Sequence, residues 1–133
     1  DIEEKKIQLH NELNFQLIAL ADKIQVEIIL RNLMANAVKF TASGGQVKIA
    51  GKVNDENVEV WVEDNGLGMH EEEVKNLFQP GRNFSKRGTN QEMGSGIVLV
   101  ITKEMISKNG GNIWVSSRKH EGTTFTFTLP LAS

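Results

Sequence analysis

The chain has 133 residues, a formal net charge of -2 and no cysteine. This length suffices to bury a core without disulfides or structural metal, so we expect one domain over residues 1–133. The missing cysteines exclude thiol chemistry, the slightly acidic balance argues against nucleic-acid binding, and no run of roughly 20 apolar residues offers a membrane span.

The first half of the chain predicts a strand, a long helix and a hairpin. Apolar residues alternate over residues 7–13, which indicates a short strand. Asp22 and Gln25 form a capping-box pattern that opens a helix running to about Phe40. Residues 47–62 then alternate on either side of a polar turn, as in a β-hairpin.

The second half predicts two helices and another hairpin. Apolar residues recur at helical spacing over residues 74–78 and again over residues 95–108, on either side of a polar loop at residues 82–93. Residues 113–129 alternate around a turn and predict the second hairpin. Because the hairpins pair antiparallel and the helices need an apolar partner, we expect an α+β fold. It is a two-layer sandwich with three helices on one face of the sheet.

A strip of polar side chains interrupts the apolar surface of the first long helix. Gln25, Asn32, Asn36 and Lys39 fall within a strip roughly 60° wide, with apolar residues on both sides. The strip is either ordinary surface or one wall of a ligand cavity. In the second interpretation the amide oxygens suit Mg²⁺ and the lysine suits a phosphate, so the residue types fit a metal-nucleotide.

Asp64 ends the second strand of the first hairpin and is followed by Asn-Gly-Leu-Gly. The glycines are typical of a tight turn, since glycine adopts positive φ readily. A turn does not explain a carboxylate after the apolar positions Val60 and Val62, which needs a donor such as the amino group of a purine. We expect this carboxylate to be accessible from the surface, so that Asp64→Asn leaves stability nearly unchanged.

Gly94 and Gly96 lie at the start of the helix predicted over residues 95–108. Glycines there leave backbone N–H groups unshielded where the helix dipole is positive, which is typical of an anion site. The pattern follows an irregular loop rather than a strand, which excludes the Rossmann type of phosphate loop.

Five stretches in this order resemble the ATP-binding catalytic domain of sensor histidine kinases. They are NLMANAVKF at residues 32–40, DNGLG at 64–68, LFQP at 77–80, GSGIVL at 94–99 and GTTFTFTLP at 122–130. The resemblance covers essentially the whole chain, and residues 83–111 are similar to the lid and following helix of that family. It implies the Bergerat fold with a mixed five-stranded sheet, and it implies ATP and Mg²⁺ as ligands.

The resemblance assigns roles to the polar strip. Asn36 matches the asparagine that coordinates Mg²⁺ between the phosphates, Asn32 matches its partner one turn earlier, and Lys39 matches the lysine that reaches the phosphates. Phe40 matches an aromatic residue beside the nucleotide. Related Bergerat ATPases place a glutamate where Asn32 stands, to activate water, and an amide cannot take up a proton in that way. Transfer to an external acceptor is therefore favoured over hydrolysis.

The resemblance also assigns the other nucleotide contacts. Asp64 matches the aspartate that accepts a hydrogen bond from the adenine amino group, and Thr123 resembles the threonine that assists it through water. Gly66 and Gly68 keep the adjacent turn open, and the glycines of residues 94–96 lie under the triphosphate.

The implied acceptor is a histidine on a separate helical dimerisation domain. His10, His70 and His120 lack the Ser-His-Glu surroundings of that histidine, so we expect the acceptor elsewhere in a longer protein. The chain does not begin with Met, which also suggests a fragment. We expect the fragment to be monomeric and cytoplasmic, whether or not its parent is anchored in a membrane, and to serve a response regulator indirectly.

Two departures from the family pattern bear on activity. Val98 stands where the family has the third glycine of Gly-x-Gly-x-Gly, and Gly81 stands where a phenylalanine follows LFQP, with Phe84 the nearest substitute. A valine side chain could clash with the nucleotide or the lid and so weaken binding and turnover. Two alternatives therefore stay open. One is a degenerate nucleotide-binding or docking module without kinase activity, and the other is a different Bergerat-fold ATPase or protein kinase.

Overall fold

The structure, a computed structural model, describes residues 8–12, 23–42, 44–54, 56–78 and 96–130. Its elements, in chain order, are β1 (Gln8–Glu12), α1 (Lys23–Phe40), β2 (Gln46–Asn54), β3 (Asn57–Asp64), α2 (Glu71–Asn76), α3 (Gly96–Lys108), β4 (Ile113–Arg118) and β5 (Gly122–Pro130). This order of elements confirms the predicted order of strands and helices. The capping pattern at Asp22 and the predicted loop over residues 82–93 lie outside the described residues. None of the helices in the described ranges is long and apolar enough to cross a membrane.

The five strands form one mixed sheet in the order β1-β2-β3-β5-β4. β1 pairs with β2 in parallel, and the other three pairs are antiparallel. A parallel pair needs a crossover connection, and α1 lies in the connection between β1 and β2. The β3–β5 pairing joins the two predicted hairpins and sets Asp64 opposite Thr123. The predicted mixed five-stranded sheet is confirmed.

One face of the sheet forms the hydrophobic core with α1 and α3. The core consists of Ile29, Leu33, Ala37, Val38, Val47, Ile49, Val58, Val60, Val62, Leu99, Ile106, Phe125, Phe127 and Leu129. On the strands most of these residues occupy every second position, because successive side chains point to opposite faces. Phe78, just after α2, packs edge-on against Phe125 with ring centroids 6.4 Å apart, so α2 lies on this face as well.

The opposite face of the sheet carries polar residues and two tryptophans. The register places Ala50, Trp61, Thr126 and Trp114 in one row across it. Trp114 is 45% exposed, so in the described part of the chain no third layer covers this side chain. The fold is therefore the predicted two-layer sandwich.

Val53 departs from the predicted alternation, because it is 49% exposed although Val47 and Ile49 are buried. β1 pairs only with residues 46–50 of β2. Among the described residues, the far end of β2 therefore has a neighbouring strand on one side only. The alternating sequence pattern extends beyond the part of β2 that the sheet encloses.

Candidate functional site

The polar strip of α1 is half-buried along most of its length. Asn32 and Asn36 lie one helical turn apart, and each is partly exposed. The side chain of Asn36 makes no hydrogen bond to another described residue. Lys39 is also partly exposed, and its Nζ lies 4.8 Å from the centre of the Phe40 ring, which is a cation–π distance. The end of α1 thus presents an amide and an ammonium group on one face.

One member of the strip contacts α3, and another contacts the residue that follows it. Asn32 Nδ2 donates to Thr102 Oγ1 at 3.0 Å, and Asn109 Nδ2 donates to Gln25 Oε1 at 2.7 Å. Because α3 packs alongside α1, these half-buried amides find polar partners on α3 and on Asn109, directly after it. Gln25 is therefore part of the contact between helices, which corrects the interpretation of the whole strip as a cavity wall. Asn32 joins α3 through its NH₂ group.

Asp64, the last residue of β3, is 5% exposed. Its Oδ1 accepts a hydrogen bond from Gly66 N–H at 2.8 Å. Desolvation by burial raises the pKa of the carboxyl to about 6, although hydrogen bonds from the backbone of Gly66 and Thr123 act to lower it. The expectation of a surface-accessible carboxylate is wrong, because the alternation of β3 places Asp64 on the core-facing side of the strand.

Thr123 belongs to a hydroxyl network that the sequence analysis missed. The register sets Thr123 between Asp64 on β3 and Ser117 on β4. The hydroxyl oxygens of Ser117 and Thr123 lie 2.7 Å apart, and Ser117 Oγ accepts a hydrogen bond from Met69 N–H at 2.9 Å. Ser117 therefore links Thr123 to the loop after β3. The predicted hairpin could have identified Ser117, because a turn at residues 118–122 sets Ser117 opposite Thr123.

The two glycines of the loop after β3 permit close backbone packing. Leu67 N–H donates to the Phe40 carbonyl at 3.0 Å, which brings the loop onto the end of α1. A Cβ at Gly66 would overlap that carbonyl, and a Cβ at Gly68 would overlap the carbonyl of Arg118. Gly68 also has a φ of +69°, which favours glycine. Both glycines hold the loop against its neighbours, which corrects the expectation that they keep the turn open.

Gly68→Ala is expected to lower the free energy of unfolding by more than about 2 kcal/mol, because it combines positive φ with backbone overlap. Gly44→Ala is the matched control, since Gly44 has a φ of +82° but no described atom lies within 4 Å of an added Cβ. The control should cost only about 1 kcal/mol. Urea unfolding measures the stability of both variants. Equal losses of unfolding free energy would show that the backbone around Gly68 shifts to accept the Cβ at no energetic cost.

The start of α3 holds the remaining predicted residues. Gly96 is the first residue of α3, and Gly94 lies outside the described residues. Val98, in the first turn, is 38% exposed, so its side chain is not part of the core. Of the two predicted glycines, the structure therefore describes Gly96, at the N-terminus of α3.

An open cavity of about 240 Å³ lies at the Asp64 end of the sheet. It is lined by Glu63, Asp64, Asn65, Ser116, Ser117, Arg118, Glu121, Gly122, Thr123 and Thr124. These residues come from β3, β4, β5 and their turns, so the cavity brings Asp64 and Thr123 together. Asn32, Asn36 and Lys39 do not line this cavity. The loop after β3 joins this end of the sheet to Phe40, at the end of α1.

No group of three or more His, Asp or Glu side chains in the described ranges is placed to hold a metal ion. One metal ligand that α1 offers is the amide oxygen of Asn36, a hard ligand that suits Mg²⁺. Mg²⁺ at nucleotide sites takes several ligands from phosphate oxygens and water. The residues therefore fit Mg²⁺ that arrives with a nucleotide, and they do not form an all-protein cage.

Comparison with known proteins shows which family the chain is similar to. The sequence profile of the family described as histidine kinase-, DNA gyrase B-, and HSP90-like ATPase matches residues 21–133. Sensor histidine kinase WalK of Bacillus subtilis (strain 168) is 36% identical over 111 residues, which cover 82% of this chain and 18% of WalK. This chain therefore spans less than a fifth of the length of that relative.

Solved structures of histidine kinases are similar over nearly the whole chain. The catalytic domain of histidine kinase ThkA superposes with a TM-score of 0.82 at 30% identity, covering 99% of this chain and 85% of that one. ThkA in complex with response regulator protein TrrA gives 0.78 at 28% identity, covering 98% of this chain and 36% of that one. Full-length ShkA in complex with AMPPNP gives 0.79 at 28% identity, with coverage of 98% and 27%.

Proposed function

Because this chain belongs to the family of histidine kinase-, DNA gyrase B- and HSP90-like ATPases and is a histidine kinase catalytic domain, we propose that it binds Mg-ATP and donates the γ-phosphoryl group to a histidine on a separate dimerisation domain. One observation carries the proposal: Leu67 N–H donates to the Phe40 carbonyl at 3.0 Å. That bond joins the loop after the buried Asp64 to the end of the helix that bears Asn36 and Lys39. A base-binding group and phosphate-binding groups are thereby held at one end of the molecule.

The Asp64 carboxylate accepts a hydrogen bond from the amino group of adenine. A carboxylate has roughly four acceptor positions, and the backbone N–H groups of Gly66 and Thr123 use two of them. Among the described residues no cationic group contributes to the pKa of this carboxyl, so a further donor from the ligand stabilises the buried charge. The Thr123 hydroxyl on the adjoining strand supports the base through a water molecule, and Ser117 holds that hydroxyl in place.

The phosphates lie along the end of α1 and the start of α3. Bound magnesium neutralises part of the phosphate charge. Asn36 supplies an amide oxygen to the ion and Lys39 supplies an ammonium to the phosphates, with Phe40 beside the nucleotide. We place the triphosphate at the N-terminus of α3, which begins at Gly96, because the first N–H groups of a helix have no intrahelical partner and favour an anion. The similarity to ShkA, solved with the nucleotide analogue AMPPNP, supports a nucleotide here.

The phosphoryl acceptor is a histidine outside this chain. His70 caps α2, with its N–H donating to Glu73 at 3.1 Å, and His120 lies in the β4–β5 turn with a φ of +68°. Both are built into structural positions. Asn32 cannot remove a proton from water, so hydrolysis is slow relative to transfer. The ThkA–TrrA complex supports a response regulator as the indirect partner, and the use of ATP supports a cytoplasmic location.

Calorimetric titration with Mg-ATP tests the binding step, and transfer to an added histidine-containing dimerisation domain tests the second step. We expect saturable binding that GTP does not reproduce at the same concentration, followed by phosphorylation of the added domain. Absence of saturable binding at millimolar nucleotide would overturn the proposal. Binding without transfer would support a second candidate, a nucleotide-holding docking module, which the exposed Val98 at the start of α3 favours.

Val98→Gly is expected to raise Mg-ATP affinity by about tenfold if the valine crowds the phosphates, since overpacking costs roughly 1–3 kcal/mol. Glycine also weakens the helix, so the free energy of unfolding should fall by up to about 1 kcal/mol. Val98→Ala separates the two effects, because alanine relieves crowding without loss of helix propensity. Titration and thermal unfolding of both variants check this, and unchanged affinity in both would show that Val98 points away from the ligand.

A further inference from the structure

Thr102 lies on α3 one helical turn after Val98, and its side chain is fully buried. Its hydroxyl donates to the Val98 carbonyl at 2.7 Å and faces Asn32 Nδ2 at 3.0 Å. A hydroxyl has one hydrogen, and a carbonyl oxygen can only accept. The hydroxyl hydrogen of Thr102 is therefore donated to the Val98 carbonyl, and only the lone pairs of Oγ1 face Asn32.

This arrangement decides which end of the Asn32 amide faces α3. If the amide were turned over, its Oδ1 would meet the lone pairs of Thr102 and neither atom would supply a hydrogen. The NH₂ group consequently faces Thr102, and Oδ1 points away from it. Within the described residues, Oδ1 receives no hydrogen bond, although Asn32 is half-buried. A half-buried amide oxygen in that state is suited to a ligand or to ordered water.

Asn32 and Asn36 are four residues apart on α1, so their side chains are neighbours on one face of the helix. We propose that Thr102 is a positioning residue, which turns the amide oxygen of Asn32 toward the metal-bound phosphates. There the oxygen binds the ion or accepts a hydrogen bond from one of its water ligands. The inference rests on the proposed function, and it assigns to α3 a part in the metal end of the site.

A purely structural role of Thr102 predicts a different effect when the residue is replaced. The hydroxyl is already satisfied by the Val98 carbonyl, so its burial does not require Asn32. If Thr102 only joined the two helices, its loss would weaken folding and every form of nucleotide binding together. If it orients Asn32, its loss should affect the magnesium-dependent part of binding alone.

The experiment compares Thr102→Val, which keeps the shape and removes the hydroxyl, with Thr102→Ser, which keeps the hydroxyl. Affinity for ATP is measured with saturating Mg²⁺ and again with a chelator, together with the melting temperature. We expect Thr102→Val to weaken Mg-ATP binding by about three- to tenfold, the size of one lost hydrogen bond, and to leave metal-free ATP binding unchanged. Thr102→Ser should restore the magnesium-dependent affinity.

A second measurement needs no ligand. In the nucleotide-free chain, NMR of the Asn32 side-chain amide should show protons protected from exchange in the natural sequence and in Thr102→Ser, and unprotected protons in Thr102→Val. Loss of protection with loss of magnesium-dependent affinity supports the inference. Equal protection in all three proteins would overturn it.

The outcomes separate this inference from the proposed function. If the unmodified chain binds Mg-ATP and Thr102→Val binds it equally well, the positioning role is wrong and the proposed function stands. If Thr102→Val weakens ATP binding equally with and without Mg²⁺, Thr102 is structural and the inference is again wrong. If the unmodified chain shows no saturable binding, the proposed function fails and this inference fails with it.

Discussion

Asp64→Asn is expected to abolish saturable binding of Mg-ATP at millimolar concentration. The new amide can still accept the Gly66 N–H through its oxygen, so the loop can keep its hydrogen bond. Its NH₂ group then meets the amino group of adenine, and two donors face each other in a buried site. A site built to bond a ligand group loses several orders of magnitude in affinity when one partner is mismatched, roughly 10⁴ in well-buried cases.

The control for Asp64→Asn is Glu59→Gln, five residues earlier on β3. Glu59 is partly exposed, lies on the opposite face of the strand and does not line the cavity, so the same change of carboxylate to amide should leave ATP affinity unaltered. Titration calorimetry compares the two variants. Equal affinity of Asp64→Asn and the natural sequence for Mg-ATP would contradict the proposal that Asp64 binds the adenine amino group.

The pH dependence of stability, compared between Asp64→Asn and the natural sequence, tests the burial of Asp64. The folded carboxyl has a pKa of about 6 against an ordinary value of 3.8, so the folded state holds its proton more tightly. This group therefore favours folding at acid pH, and that contribution is lost as pH rises from about 4 through about 6. Between about pH 4 and pH 7.5, the stability of Asp64→Asn relative to the natural sequence should rise by about 2 kcal/mol.

Urea unfolding at several pH values measures this difference, and any constant effect of the new amide cancels because only the change with pH is compared. A flat difference across the range would mean that the Asp64 carboxyl is well solvated. The result also decides between the two descriptions of Asp64, since an accessible carboxylate would give no change.

The strands of the sheet could be predicted because the alternating pattern of each hairpin is local in the sequence. The alternation of residues 47–62 and of residues 113–129 names each hairpin without reference to distant parts of the chain. The same alternation places Asp64 on the buried side of β3, since Val60 and Val62 precede it at every second position. The expectation of a surface carboxylate followed the general preference of aspartate and overlooked this register.

The contacts between α1 and α3 were beyond the reach of sequence reasoning. Asn32 and Thr102 are 70 residues apart, and Gln25 and Asn109 are 84 apart. Periodicity shows which side of a helix is polar, but it does not tell a ligand from a neighbouring helix as the partner. The close approach of Gly66 to the Phe40 carbonyl is likewise a tertiary contact, so the two glycines suggested only a turn.

Asn36→Ala is expected to reduce phosphoryl transfer by roughly 10²–10³-fold, the cost of removing one group that stabilises developing charge. Its amide oxygen is a ligand that α1 offers to Mg²⁺, so nucleotide affinity should fall with magnesium present and stay unchanged with a chelator. The free energy of unfolding should change by less than about 0.5 kcal/mol, because Asn36 is partly exposed and makes no side-chain hydrogen bond to another described residue.

Arg31→Ala is the matched control for Asn36→Ala, because Arg31 is exposed on the same helix and lies outside the polar strip. It should leave both magnesium dependence and transfer unaltered, which separates a general effect on α1 from a loss at the metal. Transfer is measured to a histidine-containing dimerisation domain, and magnesium dependence by calorimetry. Full transfer by Asn36→Ala would show that Asn36 does not hold the ion during transfer. Loss of transfer with equal loss of metal-free binding would instead place Asn36 against the nucleotide, because an amide that contacts only the ion has no part in binding ATP without it.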